Sequence, residues 1–249
     1  MSSGSRGNAV YIESETTRIL LDAGVSHREL VARFAAIERD PADLDAVFLT
    51  HEHSDHVRGV GPLVRKYGTP LFTTEGTFDR ARRLLGNIPT WNRIRADEPV
   101  DFGELSVEPY ATSHDAQESV AFVVRSGGLK LGHATDLGMV TPTVRERLRE
   151  ADALLLEANH DVKMLDDGPY PWTVKQRIKS NVGHLSNDAS ADLLASVCHS
   201  RLRLVMLMHM SQANNSQQIA GALSRQALGG VAAELLFAGQ DSPTRLITL

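Results

Sequence analysis

The chain has 249 residues, 26 basic and 31 acidic side chains and a formal net charge of −5, a length that fits one globular domain over residues 1–249. With 42% hydrophobic and 23% charged residues it has the balance of a folded soluble protein, and no apolar run approaches the ~20 residues of a membrane helix. Residues 1–8 lack the apolar stretch of a secretory signal, and a single cysteine, Cys198, excludes a disulfide framework and thiolate zinc sites, so a cytoplasmic protein without a membrane partner is expected.

Strand-like runs at 9–14 and 17–22, two residues apart, predict a hairpin. Apolar spacing of three to four predicts a helix over 26–38; 46–49 reads as a short strand, 57–67 as a helix, 70–74 as a strand and 77–85 as a basic helix. The middle is strand-rich, at 105–109, 119–124, 130–131 and 153–156, with a helix at 143–150. Helices follow at 172–180 and 188–199, a very apolar strand at 202–208, a helix at 216–228, and strands at 234–237 and 245–249. Burying both faces of two such sheets calls for helices outside a central sandwich, an α/β fold with four αββα layers.

Thr50-His51-Glu52-His53-Ser54-Asp55-His56 follows the strand at 46–49 directly. Three imidazoles and a carboxylate within six residues are borderline nitrogen and hard oxygen donors, suited to zinc, manganese or iron. The bland reading is a patch of solvated histidines, but with ten histidines in 249 residues chance yields this pattern on the order of once in a thousand chains.

The pattern resembles the HxHxDH signature of the metallo-β-lactamase superfamily, standing here as His51, His53, Asp55 and His56. Asp22, in Leu21-Asp22-Ala23-Gly24, matches that superfamily's first motif, a carboxylate that buttresses the metal loop without binding metal. His114, Asp136 and His209, each at or near a strand end, match the third, fourth and fifth motifs. The resemblance implies two divalent metal ions, zinc or manganese with iron also suited: one held by His51, His53 and His114, the other by Asp55, His56 and His209, with Asp136 shared. Ser3-Gly4-Ser5-Arg6-Gly7-Asn8, Ser113-His114-Asp115-Ala116, Glu157-Ala158-Asn159-His160-Asp161, Gly183-His184-Leu185-Ser186-Asn187 and His209-Met210-Ser211-Gln212-Ala213-Asn214-Asn215 are similar to the YycJ (WalJ) family. Members of that family are described as metal-dependent 5′-to-3′ exonucleases on DNA. One departure is that only Met1 and Ser2 precede Ser3, where the family usually begins with an apolar strand.

Two such metals would lower the pKa of a bridging water and polarise a phosphoryl oxygen, giving phosphodiester hydrolysis by a metal-bridged hydroxide. Asp55 would orient that nucleophile or take its proton. His184 is either the acid or phosphate contact, supported by Ser186 and Asn187 at a helix N-terminus, or a capping-loop histidine. His160 has a substrate-side reading and an alternative as one of a hydrogen-bonded pair, with Asp161, that orients ligands. His133 reads as a strand residue. Arg80, Arg82, Arg83, Arg93 and Arg95 around Trp91, and Lys175, Arg177 and Lys179 near Tyr170 and Trp172, suit single-stranded DNA or a 5′ end, or are two solvated helix faces. The alternatives to a nuclease are a hydrolase of small phosphodiesters or thioesters, as in glyoxalase II, and a metal-binding partner protein without turnover.

Overall fold

The computed structural model describes residues 1–249, which form two compact units, each with its own core. The first comprises Met1–Pro109, Ala116–Val120 and Gly239–Thr248. Its elements are β1 (Val10–Glu13), β2 (Arg18–Leu21), α1 (His27–Ala36), β3 (Ala46–Phe48), α2 (Ser54–Val57), α3 (Val60–Tyr67), β4 (Leu71–Thr73), α4 (Glu75–Leu85), β5 (Trp91–Arg93), β6 (Val100–Phe102) and β7 (Leu105–Ala111), whose last two residues fall in the second unit. The hairpin expected at 9–22 forms, with Val10 paired to Leu21, and β2 to β5 continue the sheet in parallel. Alternation along each strand sorts the side chains. Leu20, Val47 and Leu49 join the core that α1, α3 and α4 cover, while Phe48 stacks on Phe72 at 4.8 Å.

Parallel pairing sets the strand ends side by side. Leu21 pairs with Phe48, so Asp22 lies beside the chain that runs out of β3 into the histidine motif. The helix expected at 57–67 forms as α3 from Val60, and a separate short helix, α2, precedes it, starting inside the histidine motif. Gly59 sends its N–H to Ala23 O at 2.6 Å, and a Cβ there would stand 2.3 Å from Val25 O, so the chain bends between α2 and α3.

The second unit comprises Tyr110–Asp115, Ala121–Ala238 and Leu249. It contains β8 (Val120–Ser126, of which Val120 is in the first unit), β9 (Leu129–Ala134), α5 (Pro142–Leu148), β10 (Ala153–Glu157), α6 (Val162–Asp167), α7 (Trp172–Lys179), α8 (Asn187–Val197), β11 (Leu204–Met208), α9 (Gln217–Leu228) and β12 (Glu234–Phe237). Its strands run in the order β12–β11–β10–β9–β8, parallel from β9 to β12. Ala134 pairs with Leu156 and Glu157 with Met208, so the residues that leave β9, β10 and β11 emerge at one edge, where ligand sites of parallel sheets lie. β5, β6 and α6 had no clear pattern in the sequence. Residues 245–249, expected as a strand, belong to neither sheet. The α/β class with two sheets is as expected, and no helix is long and apolar enough to cross a membrane.

Candidate metal centre

In the first unit the site is built on Asp22. Its φ is +60°, in the left-handed region, a conformation that costs a non-glycine residue ~1–2 kcal/mol and that Asp tolerates best. The turn aims its carboxylate at the next strand end. There Oδ1 accepts from the Thr50 N–H at 2.8 Å, and both oxygens are within 3.0 Å of the Thr50 hydroxyl. His56 Nδ1 lies 2.7 Å from Asp22 Oδ2. A carboxylate only accepts, so Nδ1 carries the proton and Nε2 is the nitrogen left for a ligand bond. The Thr50 hydroxyl, having donated to Asp22, accepts from His51 Nδ1 at 2.9 Å, which sets the second imidazole the same way. His51 and His56 are fully buried with ring centroids 4.1 Å apart, and His53 packs edge-on to His51 at 4.6 Å. Asp55 sits in the first turn of α2, with Oδ2 3.6 Å from His56 Nε2. A Cβ on Gly24 would fall 1.6 Å from Asp55 O, so the Asp-Ala-Gly turn can abut the motif only with glycine there.

In the second unit, Asp136 (φ +59°) and His209 (φ +52°) leave β9 and β11 in the same strained region. Strain at both strand ends aims their side chains together. Asp136 Oδ1 lies 3.0 Å from His209 Nδ1, 3.7 Å from His114 Nε2 and 3.7 Å from His184 Nδ1. His114 donates from Nδ1 to Gly183 O at 3.1 Å, which again leaves Nε2 as the ligand nitrogen. Glu157, the fully buried last residue of β10, opens the Glu157–Asp161 motif, and its sequence context assigns it no role. Its Oε2 accepts the Leu137 and Leu185 N–H groups, and its Oε1 takes His184 Nδ1 at 2.7 Å. Ligand atoms of Asp136, Glu157, His184 and His209 all lie within 4.8 Å of one another.

These donors fit a divalent metal. Imidazoles held by acceptors at one nitrogen and buried carboxylates gathered at strand ends are the chemistry such an ion selects. Thr50 and Glu157 carry no signal of their own in the sequence, because the partners that give them a role, Asp22 and His184, lie 28 and 27 residues away.

The outer residues divide differently. His184 keeps 18% of its side chain exposed, with its Nδ1 edge on Glu157. Ser186 is the N-cap of α8, its Oγ accepting Ala189 N–H at 3.2 Å. Asn187, expected to contact phosphate, instead closes a reciprocal amide pair with Asn215 at 2.8 and 2.9 Å and is buried. His160 is also buried, and desolvation lowers its imidazole pKa to about 4, so it is neutral and turned away from solvent. Its backbone pairs with Ser186 through an isolated parallel bridge, and Asp161 caps α6. His133 is a strand residue whose carbonyl accepts the Tyr110 hydroxyl.

The two basic and aromatic groups also differ. Trp91 stacks on Phe78 at 3.9 Å, and Arg82, Arg93 and Arg95 pair with Asp79, Glu75 and Glu98. α7 has no buried residue and leaves Trp172 70% exposed, while Arg177 and Lys179 pair with Asp115 and Asp166.

The class follows from two sheets whose strand ends carry this set of histidines and carboxylates. The chain belongs to the metallo-β-lactamase superfamily: the family described as the beta-lactamase superfamily domain matches residues 17–210. Within it the chain stands with the YycJ/WalJ proteins. It is 36% identical over 230 residues to exodeoxyribonuclease YycJ of Bacillus anthracis, covering 92% of this chain and 87% of that one. It is 37% identical over 224 residues to exodeoxyribonuclease WalJ of Streptococcus pneumoniae, covering 88% and 83%. The metallo-β-lactamase fold protein YhfI of Bacillus subtilis superposes with a TM-score of 0.74 over 96% of this chain and 94% of that one, at 16% identity.

Proposed function

We propose that the protein is a dinuclear-metal 5′-to-3′ DNA exonuclease acting on single strands or 5′ ends in the cytoplasm. The observation that carries this reading is identity above one third to exodeoxyribonucleases along nearly the whole chain, with the strand-end clusters of both units intact. His51, His53 and His114 would hold one ion and Asp55, His56 and His209 the other, with Asp136 shared; zinc or manganese suits these donors, and iron is admissible. Bound there, the ions supply Lewis acidity toward a phosphoryl oxygen and a water of lowered pKa.

The rest belongs to the chain. Asp55 orients the attacking water. His184, its Nδ1 held by Glu157, turns Nε2 outward and delivers a proton to the leaving oxygen. Ser186 sets the start of α8, whose dipole favours a phosphate, while the Asn187 and Ala189 N–H groups are already taken by His160 O and the Ser186 hydroxyl. Asn187 and His160 act by fixing the His184 loop rather than by touching substrate. Among the aromatic side chains expected at DNA, the exposed Trp172 offers a free ring for a base.

A denaturing-gel time course on 5′-phosphorylated, 3′-labelled single-stranded DNA with manganese tests the reading, with Asp136→Ala run alongside. A ladder from the wild type alone is the expected result. No cleavage with manganese or zinc rejects DNA as the substrate and turns attention to small phosphodiesters and thioesters.

A further inference from the structure

Asn8 ends the Ser3–Asn8 motif and takes no part in the chemistry assigned to Asp55 and His184. Asn8 is 4% exposed. Its backbone ties two segments together: its N–H goes to Asp55 O at 2.7 Å, and its carbonyl accepts from Gly24 N–H at 2.8 Å. Its side-chain amide is oriented by the Gly4 N–H, which donates to Oδ1 at 2.8 Å, so the NH2 end faces the other way. That end stands 2.9 Å from His56 Nε2 and 3.3 Å from Asp55 Oδ2. Asp22 has already fixed the His56 proton on Nδ1, so Nε2 is an acceptor and Asn8 Nδ2 donates to it. One amide therefore hydrogen-bonds the lone pair a metal would take and, with its second hydrogen, the carboxylate beside it.

We propose that Asn8 is a positioning residue for the metal site: its amide holds the His56 ring and the Asp55 carboxylate in register before metal arrives and remains on Asp55 when His56 Nε2 is engaged. This rests on the reading that His56 is a metal ligand. An amide suits the task because it donates without carrying charge. It can release Nε2 to a cation without repelling it, and it has a second acceptor, Asp55 Oδ2, within reach. A threonine or serine at this place is too short to span Gly4 and His56 together.

The test uses the full chain as wild type, Asn8→Ala and Asn8→Asp. Asn8→Asp keeps the oxygen that meets the Gly4 N–H and puts a charged acceptor where the donors stood, so it covers the case in which Asn8→Ala does not fold. In metal-free protein, two-bond 1H–15N correlation spectra should show His56 as a single Nδ1–H tautomer with a hydrogen-bonded Nε2. Both variants should move that Nε2 resonance. Competition with a chromophoric chelator should show one of the two metal equivalents bound about 10-fold more weakly by Asn8→Ala, as for the loss of other partners of metal ligands. An unchanged Nε2 resonance in the variants, or wild-type affinity for both equivalents in Asn8→Ala, overturns the inference. A wild-type chain that binds no metal overturns the metal-site reading itself, which the DNA assay alone would not distinguish.

Discussion

Single residues at this site are set by what their neighbours can donate or accept. Glu157 has no exposure, two backbone N–H groups on one oxygen and His184 on the other. Glu157→Gln keeps the shape, but its amide must face the Leu137 and Leu185 N–H groups with oxygen and so present NH2 to His184 Nδ1. That sets a donor against Nδ1, so a ring carrying hydrogen on both nitrogens, as the proposed acid does, no longer fits beside it. Single-turnover cleavage should fall about 100-fold, the low end of general-acid contributions, with little change in the thermal midpoint; an unaltered rate would remove His184 from proton transfer. His160 gives a pH prediction. Burial lowers its pKa from 6.5 to about 4, so the unfolded chain takes up a proton below pH 6.5 that the folded chain refuses until near pH 4. Stability is therefore lost as pH falls through this window, by about 2 kcal/mol at pH 5. Urea unfolding at pH 7.5 and pH 5 should show this increment in the wild type and its absence in His160→Asn.

Among the elements, those with strong patterns were legible in sequence. The hairpin at 9–22 and the apolar strand β11 announced themselves, and so did the histidine motif, because its ligands are neighbours along the chain. β5 and β6 are three-residue strands whose pairing depends on partners, not on their own alternation. The break between α2 and α3 depends on Gly59 meeting Ala23 O, a contact distant in sequence. For the same reason Asp22 and Asp136 could be placed only by resemblance, whereas their left-handed backbones at strand ends now supply the physical cause. The arginines near Trp91, which in sequence suit either single-stranded DNA or a solvated face, are in part paired: Arg93 of β5 reaches Glu75 of α4, and Arg82 and Arg95 meet Asp79 and Glu98 three residues away. The Asp-Ala-Gly turn after β2 carries a prediction of its own. Gly24→Ala forces a Cβ to 1.6 Å from Asp55 O, backbone that cannot give way without moving α2. Overpacking of this kind costs about 1–3 kcal/mol or more, and here the displaced segment bears the ligands. Equilibrium dialysis should show metal stoichiometry reduced even where circular dichroism reports a folded chain; full stoichiometry would mean that the turn and α2 move apart freely.

At the scale of the molecule the question is how an acidic chain, net −5, tolerates carboxylates sunk at its strand ends. Asp22, Asp136 and Glu157 are each at most 2% exposed, and a buried charge is costly unless it is compensated. Imidazoles and backbone N–H groups meet part of that cost in both units. A divalent ion would meet more of it, and because it binds the folded chain and not the unfolded one, it stabilises by mass action. At a free metal concentration 100 times the dissociation constant, the gain is about 2.7 kcal/mol per site. For a chain of this length that corresponds to a rise in the thermal midpoint of about 5–10 °C. Scanning calorimetry with manganese or zinc, then after chelation, should show this loss, and it should be reversed by adding the metal back. Asp136→Ala removes a buried charge as well as a shared ligand, so its metal-free midpoint should stay near the wild type's while the metal-induced rise collapses. A rise of equal size in both proteins would mean that metal binds elsewhere on the chain, and the strand-end carboxylates would then have to be explained by hydrogen bonding alone.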